Sequence, residues 1–435
     1  MHQLNRTQIN FNEYPFYKID ADLYQNVYEN IKTDYIDNKN LNWVEKELEN
    51  QKSKIRLATM FSGIGAVEFA LKRLNLNSEI IFACDNDKFV KESYFANYNI
   101  SNENWYDDVM NIKGKKYKNT IDLLVGGSPC QSFSMVGKRK GFNDTRGTLF
   151  YEFARVVKES QPKIFIYENV KGLINHDKGN TFETIKATFD ELGYKYYYKL
   201  LNAKDYGMAQ HRERIFVIGF KDKSINFEFP ESIPLKHKMQ DFLEDYIDSK
   251  YYLKEKGVKF VTSSKNRKKR YTQINGDIAI CQKANQQFNW HGDFIYENKN
   301  KQEFNEFIFN INEVEEKYYL SEKVTKYVLS TGTKNFKTTI KTDLEVARPL
   351  LQTMHKMHRA GVDNYVTHNK GRIRKLTPKE CLRLMGFGDG FKQVVSDTQM
   401  YRQAGNSIVV DVLIALLKQM DISKFGITNE NQSFK

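Results

Sequence analysis

The sequence predicts an α/β protein: a Rossmann-like sheet with helices on both faces, joined to a smaller, irregular domain. Three observations predict it. Apolar runs of strand length recur at Ile55-Arg56-Leu57-Ala58-Thr59-Met60, Glu79-Ile80-Ile81-Phe82-Ala83, Ile121-Asp122-Leu123-Leu124-Val125 and Lys163-Ile164-Phe165-Ile166-Tyr167, with helical stretches between them; this alternation builds largely parallel sheets. The first run breaks into Phe61-Ser62-Gly63-Ile64-Gly65-Ala66, a strand, glycine turn and helix in which the glycines let the backbone approach a ligand. From about 222 to 345 the periodicity becomes irregular, which marks a second unit in a chain of 435 residues, long enough for one large domain and a smaller one.

The elements follow in order. Residues 1–54 are rich in aromatics and carry nine acidic against seven basic side chains, so the excess positive charge lies elsewhere; we expect a helical cap on the main domain. After the first strand a helix runs through Leu74, and the second strand ends just before Asp85. That acid lies about 20 residues beyond the glycines, where a carboxylate accepts hydrogen bonds from ribose hydroxyls. A third strand should end at Asp107-Asp108-Val109. The fourth runs into Gly126-Gly127-Ser128-Pro129-Cys130-Gln131-Ser132. Pro129 fixes its own φ and biases Ser128 towards an extended conformation, presenting Cys130 at a rigid corner as a candidate nucleophile. Lys138, Arg139 and Lys140, bounded by Gly137 and Gly141, form a segment suited to closing over an anionic substrate.

A helix over about 148–160 precedes a fifth strand ending in Glu168-Asn169-Val170, so Glu168 falls at the ligand-binding edge of such a sheet. A sixth strand near 194–201 leads to Gln210-His211-Arg212-Glu213-Arg214-Ile215, where alternate spacing lets Arg212 and Arg214 face one side of a seventh strand. In the irregular region, Lys265, Arg267, Lys268, Lys269 and Arg270 form a basic run without an acid, and Gln282, Asn285, Gln286, Gln287 and Asn289 follow. Thr377, Pro378 and Glu380 read as N-cap, first and third positions of a helix whose packed face includes Cys381. Gln403-Ala404-Gly405-Asn406-Ser407-Ile408-Val409-Val410 is expected to open a terminal helix.

Composition narrows the function. The chain has 67 basic and 54 acidic residues, a net charge of +13, which favours a polyanionic partner such as nucleic acid. The four cysteines, Cys84, Cys130, Cys281 and Cys381, form no Cys-x-x-Cys pair, arguing against a zinc ribbon and a disulfide framework. His355 and His358 lack a nearby carboxylate, so they read as surface or phosphate-facing groups, and no metal is expected. There is no signal pattern and no apolar run of ~18 residues, so a cytoplasmic protein without a membrane partner is expected.

Gly-Ser-Pro-Cys-Gln-Ser-Phe-Ser at 127–134, with Glu168-Asn169-Val170 and Gln210-His211-Arg212-Glu213-Arg214 in the same order, resembles the DNA (cytosine-5) methyltransferase family of restriction-modification type, from about 55 to about 417. The resemblance implies an S-adenosylmethionine-dependent methyltransferase sheet (55–221), a target-recognition domain (222–345), C-terminal motifs returning to the sheet (346–428) and a tail (429–435). It implies methylation of C5 of a flipped cytosine through a covalent adduct of Cys130 to C6, with Glu168 at N3, Arg214 on the base and Arg212 in support. S-adenosyl-L-methionine would be held by Phe61, Ser62, Gly63, Ile64, Gly65, Asp85, Asn86, Asp108, Val109, Pro129, Asn406 and Ser407. Asn86 departs from the apolar or aromatic residue that many members carry there.

The implied partner is double-stranded DNA, contacted by Ser132, Lys138, Arg139 and Lys140, by the basic run at Lys265, Arg267, Lys268, Lys269 and Arg270 through phosphates, and by Gln282, Asn285, Gln286, Gln287 and Asn289 through base edges. A monomer, and a cognate restriction endonuclease acting on the same site, complete that expectation. Two alternatives stand beside it. A tRNA (cytosine-5) methyltransferase would carry a Cys-Phe-Thr element, whereas Cys281 is followed by Gln282-Lys283. A non-catalytic DNA-binding protein on the same fold would lack a catalytic group, whereas Cys130, Glu168 and Arg214 are present.

Overall fold

The computed structural model describes residues 43–129, 149–244 and 372–428, with residues 253, 260–261, 263, 265–266, 269, 272–274, 292–294, 345–347, 350 and 365–368 between them. Among these, seven strands form one sheet: β1 (Lys54–Met60), β2 (Asn77–Cys84), β3 (Trp105–Tyr106), β4 (Leu123–Gly126), β5 (Ile164–Val170), β6 (Lys195–Asn202) and β7 (Glu213–Phe220), in the order β3-β2-β1-β4-β5-β7-β6. All pairings are parallel except those of β7, which runs antiparallel to both β5 and β6. The chain steps from β1 outward to β2 and β3, then returns to the other side of β1 for β4. Such a reversal opens a crevice at the carboxyl ends of the strands, where ligands bind in open α/β sheets. The register sets Met60 beside Gly126, and Gly126 beside Tyr167, so the segments leaving β1, β4 and β5 emerge side by side.

Alternation along β5 puts helices on both faces, as the sequence predicts. Ile164 and Ile166 enter one core with Ala70 and Leu71 of α1 (Ala66–Arg73) and with Leu413 of the last helix. Phe165 and Tyr167 enter the other, with Phe150 and Phe153 of α3 (Leu149–Ser160) and Phe189 of α4 (Asn180–Glu191). Successive strand side chains point to opposite faces, so apolar residues at every position are what a sheet covered twice requires. Helix α2 (Lys88–Asn97), whose first turn is capped by the Asp87 carboxylate at Phe89 N–H (2.9 Å), packs Tyr94 against Trp105.

The C-terminal segment supplies α5 (Pro378–Leu384), α6 (Asp397–Asn406) and α7 (Val410–Gln419). Thr377 and Glu380 form the capping box expected at the start of α5, with Pro378 in the first turn, and Cys381 is fully buried. The segment is fastened to α1 by Arg73, whose guanidinium pairs with both carboxylate oxygens of Asp411 at 3.0 Å and donates to the Gly386 carbonyl at 2.9 Å.

One expectation is corrected in its start point: the terminal helix, α7, opens at Val410, the last residue of the stretch 403–410, while Gln403 to Asn406 close α6. The physical reason is that the carbonyls of Gly405 and Ser407 are turned to Arg212, whose Nη2 donates to them at 2.9 and 2.8 Å, instead of continuing the helical ladder. Of the N-terminal extension, residues 43–53 are turn and irregular chain, with Trp43, Val44 and Leu48 buried in the core that holds α1 and α7.

Candidate active site

The crevice has two halves. In the first, β1 ends in a left-handed turn. Phe61 has φ 55°, Gly63 54° and Gly65 77°, a run that L side chains adopt at a cost of about 1–2 kcal/mol each. Ser62 pins this turn to the end of β2: its N–H donates to the Cys84 carbonyl and its Oγ accepts from the Cys84 N–H, both at 2.9 Å. The Asp85 carboxylate accepts from the Gly63 N–H at 3.0 Å and from the Asp87 N–H at 3.0 Å. Burial pushes the Asp85 carboxyl above its ordinary range, and those two N–H groups oppose the rise.

A Cβ on Gly63 would meet nothing within 4 Å, whereas one on Gly65 would lie 2.2 Å from the Tyr98 ring. The first glycine therefore faces open space beside Asp85, and the second is required by packing. Tyr98 also donates to the Gly65 carbonyl at 2.7 Å; sequence reasoning missed it, since nothing near Tyr98 marks it. Ile64 is buried, Asn86 is exposed, Asp108 is exposed and caps the turn that starts at the buried Val109. Helix α6 reaches the same corner, with Arg402 Nη1 3.4 Å from Asp87 Oδ2 and Gln403 Oε1 accepting the Ser93 hydroxyl at 2.8 Å. It brings Asn406, exposed, and Ser407, buried, to its end.

The second half lies at the ends of β4, β5 and β7. Glu168 and Arg214 sit on one face of the antiparallel β5–β7 pair, as diagonal neighbours in a register that sets Glu168 opposite Phe216 and Val170 opposite Arg214. Arg214 Nε lies 3.0 Å from Glu168 Oε1, and both side chains are largely buried, at 15% and 13% exposure. Burial raises the Glu168 carboxyl above its ordinary range, and the nearby Arg214 and Arg212 cations lower it part of the way back. Close approach of β4 to this carboxylate depends on Gly127, where a Cβ would meet Glu168 O and Oε2 at 2.9 Å.

Arg212 is buried and close enough to act on Glu168 electrostatically, while its Nη2 holds the Gly405 and Ser407 carbonyls. It thus ties the two halves together. Alternate spacing predicted a face of the seventh strand shared with Arg214, but β7 begins at Glu213 and Arg212 lies just before it; the spacing carried no sign of the contact with the end of α6.

Beyond Glu168, the chain leaving β4 is held from the other face of β5. Asn169 Nδ2 donates to the Ser128 carbonyl at 2.8 Å and to the Tyr167 hydroxyl at 3.0 Å, and the Tyr167 and Ser128 hydroxyls are 2.8 Å apart. Pro129, next in the chain, is exposed. Lys265 and Lys269 are exposed as well. Cys130, Ser132, Lys138, Arg139, Lys140, Arg267, Lys268, Arg270, Gln282, Asn285, Gln286, Gln287, Asn289, His355 and His358 lie outside the described residues.

Among the described residues, no group of three or more His, Cys, Asp or Glu is placed to hold a metal ion, and no helix is long and apolar enough to cross a membrane. Cys84 is 1% exposed, and burial together with the carboxylates of Asp85, Asp108 and Asp107 raises its thiol well above the ordinary range. A thiol so held is a poor nucleophile.

Residues 55–421 match the family profile described as C-5 cytosine-specific DNA methylase. The orphan methyltransferase M.SPRI of Bacillus phage SPR is 33% identical over 436 residues, covering 84% of this chain and 97% of that protein. The type II methyltransferase M.SsoII of Shigella sonnei is 32% identical over 375 residues, covering 85% of this chain and 81% of that protein. Among solved structures, a mutant of Spodoptera frugiperda DNMT2 superposes with a TM-score of 0.56 at 19% identity, covering 84% of this chain and 99% of the other, a likeness of fold.

Proposed function

Because the chain belongs to the C-5 cytosine-specific DNA methylase family and is a DNA cytosine-5 methyltransferase, we propose that it takes its methyl group from S-adenosylmethionine and reaches a flipped cytosine through a covalent Cys130 adduct. The observation that carries this reading is the Glu168–Arg214 contact, 3.0 Å long. A carboxyl and a guanidinium in direct contact match two adjoining atoms on one edge of cytosine, N3 and O2.

The chemistry explains why such a pair is needed. C5 of cytosine is a poor nucleophile within an aromatic ring. Addition of the Cys130 thiolate to C6 breaks the aromaticity and makes C5 enamine-like, splitting one difficult step into two. Negative charge then develops towards N3 and O2. Glu168, whose carboxyl burial holds towards its protonated form, donates a proton at N3. Arg214 donates to O2 and polarises the ring in the same sense. Once C5 is methylated, its proton passes to water, the Cys130 thiolate leaves C6 and the N3 proton returns to Glu168, which restores the ring. None of these atoms is reachable in a stacked duplex, so the base must leave the helix, at a cost of a few kcal/mol.

S-adenosylmethionine fits the first half of the crevice, where it would supply an electrophilic sulfonium methyl. Gly63 faces open space at a left-handed φ, the Asp85 carboxylate stands beside it, and Asn86 and Asp108 are exposed. Asp85 would accept from the ribose hydroxyls, with Phe61, Ser62, Ile64 and Gly65 forming the floor and Val109, Pro129, Asn406 and Ser407 the surround.

Double-stranded DNA is the proposed substrate, with residues 222–345 as the target-recognition domain. The basic run from Lys265 to Arg270 would follow phosphates, and the amide-rich stretch from Gln282 to Asn289 would face base edges. Incubation with tritiated S-adenosylmethionine and either DNA or tRNA tests this: label entering DNA alone as 5-methylcytosine is the expected result, and label entering tRNA alone would overturn it.

A further inference from the structure

Ser128, Tyr167 and Asn169 close a three-membered hydrogen-bonded ring at the carboxyl ends of β4 and β5. Its sides are 2.8 Å between the Ser128 and Tyr167 hydroxyls, 3.0 Å from Asn169 Nδ2 to the Tyr167 oxygen, and 2.8 Å from Asn169 Nδ2 to the Ser128 carbonyl. All three residues are nearly inaccessible, at 3%, 0% and 4% exposure. Both donors of the Asn169 amide are used. The Tyr167 and Ser128 hydroxyls share the remaining bond, in which either oxygen can donate.

Two features make this more than a satisfied core network. Tyr167 and Asn169 flank Glu168 on β5, and alternation sends both to the face opposite the Glu168 side chain. The network therefore grips the strand on either side of the proposed proton donor without touching its carboxyl. On the other strand, the network ends at Ser128, after which the chain passes to the exposed Pro129 and, one residue later, to Cys130. Gly127 permits the close approach, since a Cβ there would meet Glu168 O and Oε2 at 2.9 Å.

We infer that Tyr167 is a positioning residue: its hydroxyl locks the β4 segment that leads to the nucleophile in register with the β5 segment that carries the proton donor. The inference rests on the reading of Cys130 and Glu168 given above. It concerns an uncharged residue that is fully buried, so its contribution is geometric. A misplacement of about 1 Å in reacting groups costs about 100-fold in rate, and a buried hydroxyl left without its partner loosens such a contact.

The test is a double-substitution cycle with Tyr167→Phe, Ser128→Ala and the pair together. DNA carrying tritium at cytosine C5 reports the chemistry without knowledge of the recognition sequence, because tritium is released only after C6 addition. Tyr167→Phe should lower the single-turnover release rate by about 10- to 100-fold. The apparent KM for DNA and the calorimetric Kd for S-adenosylmethionine should stay within about twofold of native, since neither surface is altered. The double variant should be no slower than the slower single variant, because the two hydroxyls act as one contact.

Native release by Tyr167→Phe, losses that multiply in the double variant, or a defect confined to KM would each overturn the assignment. If Tyr167→Phe does not fold, Ser128→Ala, which removes a single oxygen, decides the matter by the same rate and KM criteria. Tritium release by the native enzyme with an unaffected Tyr167→Phe variant would sink only this inference. Absence of release from the native enzyme would remove the Cys130 reading and this inference with it.

Discussion

Replacing Glu168 by Gln isolates the proton from everything else the side chain does. The amide keeps the length of the carboxyl and leaves an oxygen for the Arg214 Nε–H, 3.0 Å away in the native pair. What disappears is the exchangeable proton. General acid catalysis contributes about 10²–10⁴-fold, so single-turnover methyl transfer should fall by that factor, about 3–5 kcal/mol of barrier. Folding should suffer much less. Abolishing one partner of a buried pair costs about 3–5 kcal/mol, but Glu168→Gln preserves the acceptor, and Glu168→Ala is the variant expected to show that penalty.

The pH dependence has a definite sign. Burial raises the Glu168 carboxyl despite the cations beside it, so the protonated, donating form persists further up the pH scale than in an exposed glutamate. The native rate should fall as pH rises through that raised value, and the Gln variant should lack this limb. Rapid-quench transfer from tritiated S-adenosylmethionine across a pH series, with urea unfolding of each variant, measures both. A Gln variant within tenfold of native, or one that keeps the native alkaline decline, refutes the proton role.

Three further outcomes are expected. Gly65→Ala places a Cβ 2.2 Å from the Tyr98 ring at a φ of 77°; about 1–2 kcal/mol for the left-handed residue and about 1–3 for overpacking predict an unfolding free energy about 2–5 kcal/mol lower in urea, and a change under about 1 contradicts the packing account. Asp85→Ala should weaken S-adenosylmethionine binding by about 1–3 kcal/mol in calorimetry, with DNA affinity in the absence of cofactor unchanged; equal damage to both points to unfolding. Neutralising Lys268, Lys269 and Arg270 should weaken binding to all sequences and flatten its salt dependence, whereas changes at Gln282, Asn285, Gln286, Gln287 or Asn289 should shift the methylated sequence read by bisulfite. The reverse pattern would overturn the map of this region.

Local rules made part of this molecule legible. Strand, glycine turn, helix and a following acid are short-range signals, and they located Phe61, Gly63 and Asp85; so did the Thr377-Pro378-Glu380 helix start, whose reciprocal hydrogen bonds span three residues. The less legible features depend on partners distant in the chain. Gly65 is fixed by Tyr98, which stands on the far end of another helix. Arg212 has the same local pattern as Arg214, yet Arg214 meets Glu168 on the neighbouring strand while Arg212 meets the carbonyls of Gly405 in α6 and Ser407 just beyond it. The same contact lies at the end of α6, inside the stretch expected to open the terminal helix. Tyr167 carries no signal at all: an aromatic residue in a buried strand reads as core, and only the pairing of β4 with β5 brings its hydroxyl to Ser128.

The central claim is that Cys130 attacks C6 of cytosine, and trapping the adduct tests it most directly. In duplex DNA prepared with 5-fluorocytosine in place of cytosine, methylation leaves fluorine at C5 where a proton should depart, so elimination stalls with the enzyme attached. Incubation with S-adenosylmethionine, proteolysis and mass spectrometry should yield one DNA-linked peptide, bonded through Cys130. No stable adduct, or an adduct at Cys84, Cys281 or Cys381, would contradict the account.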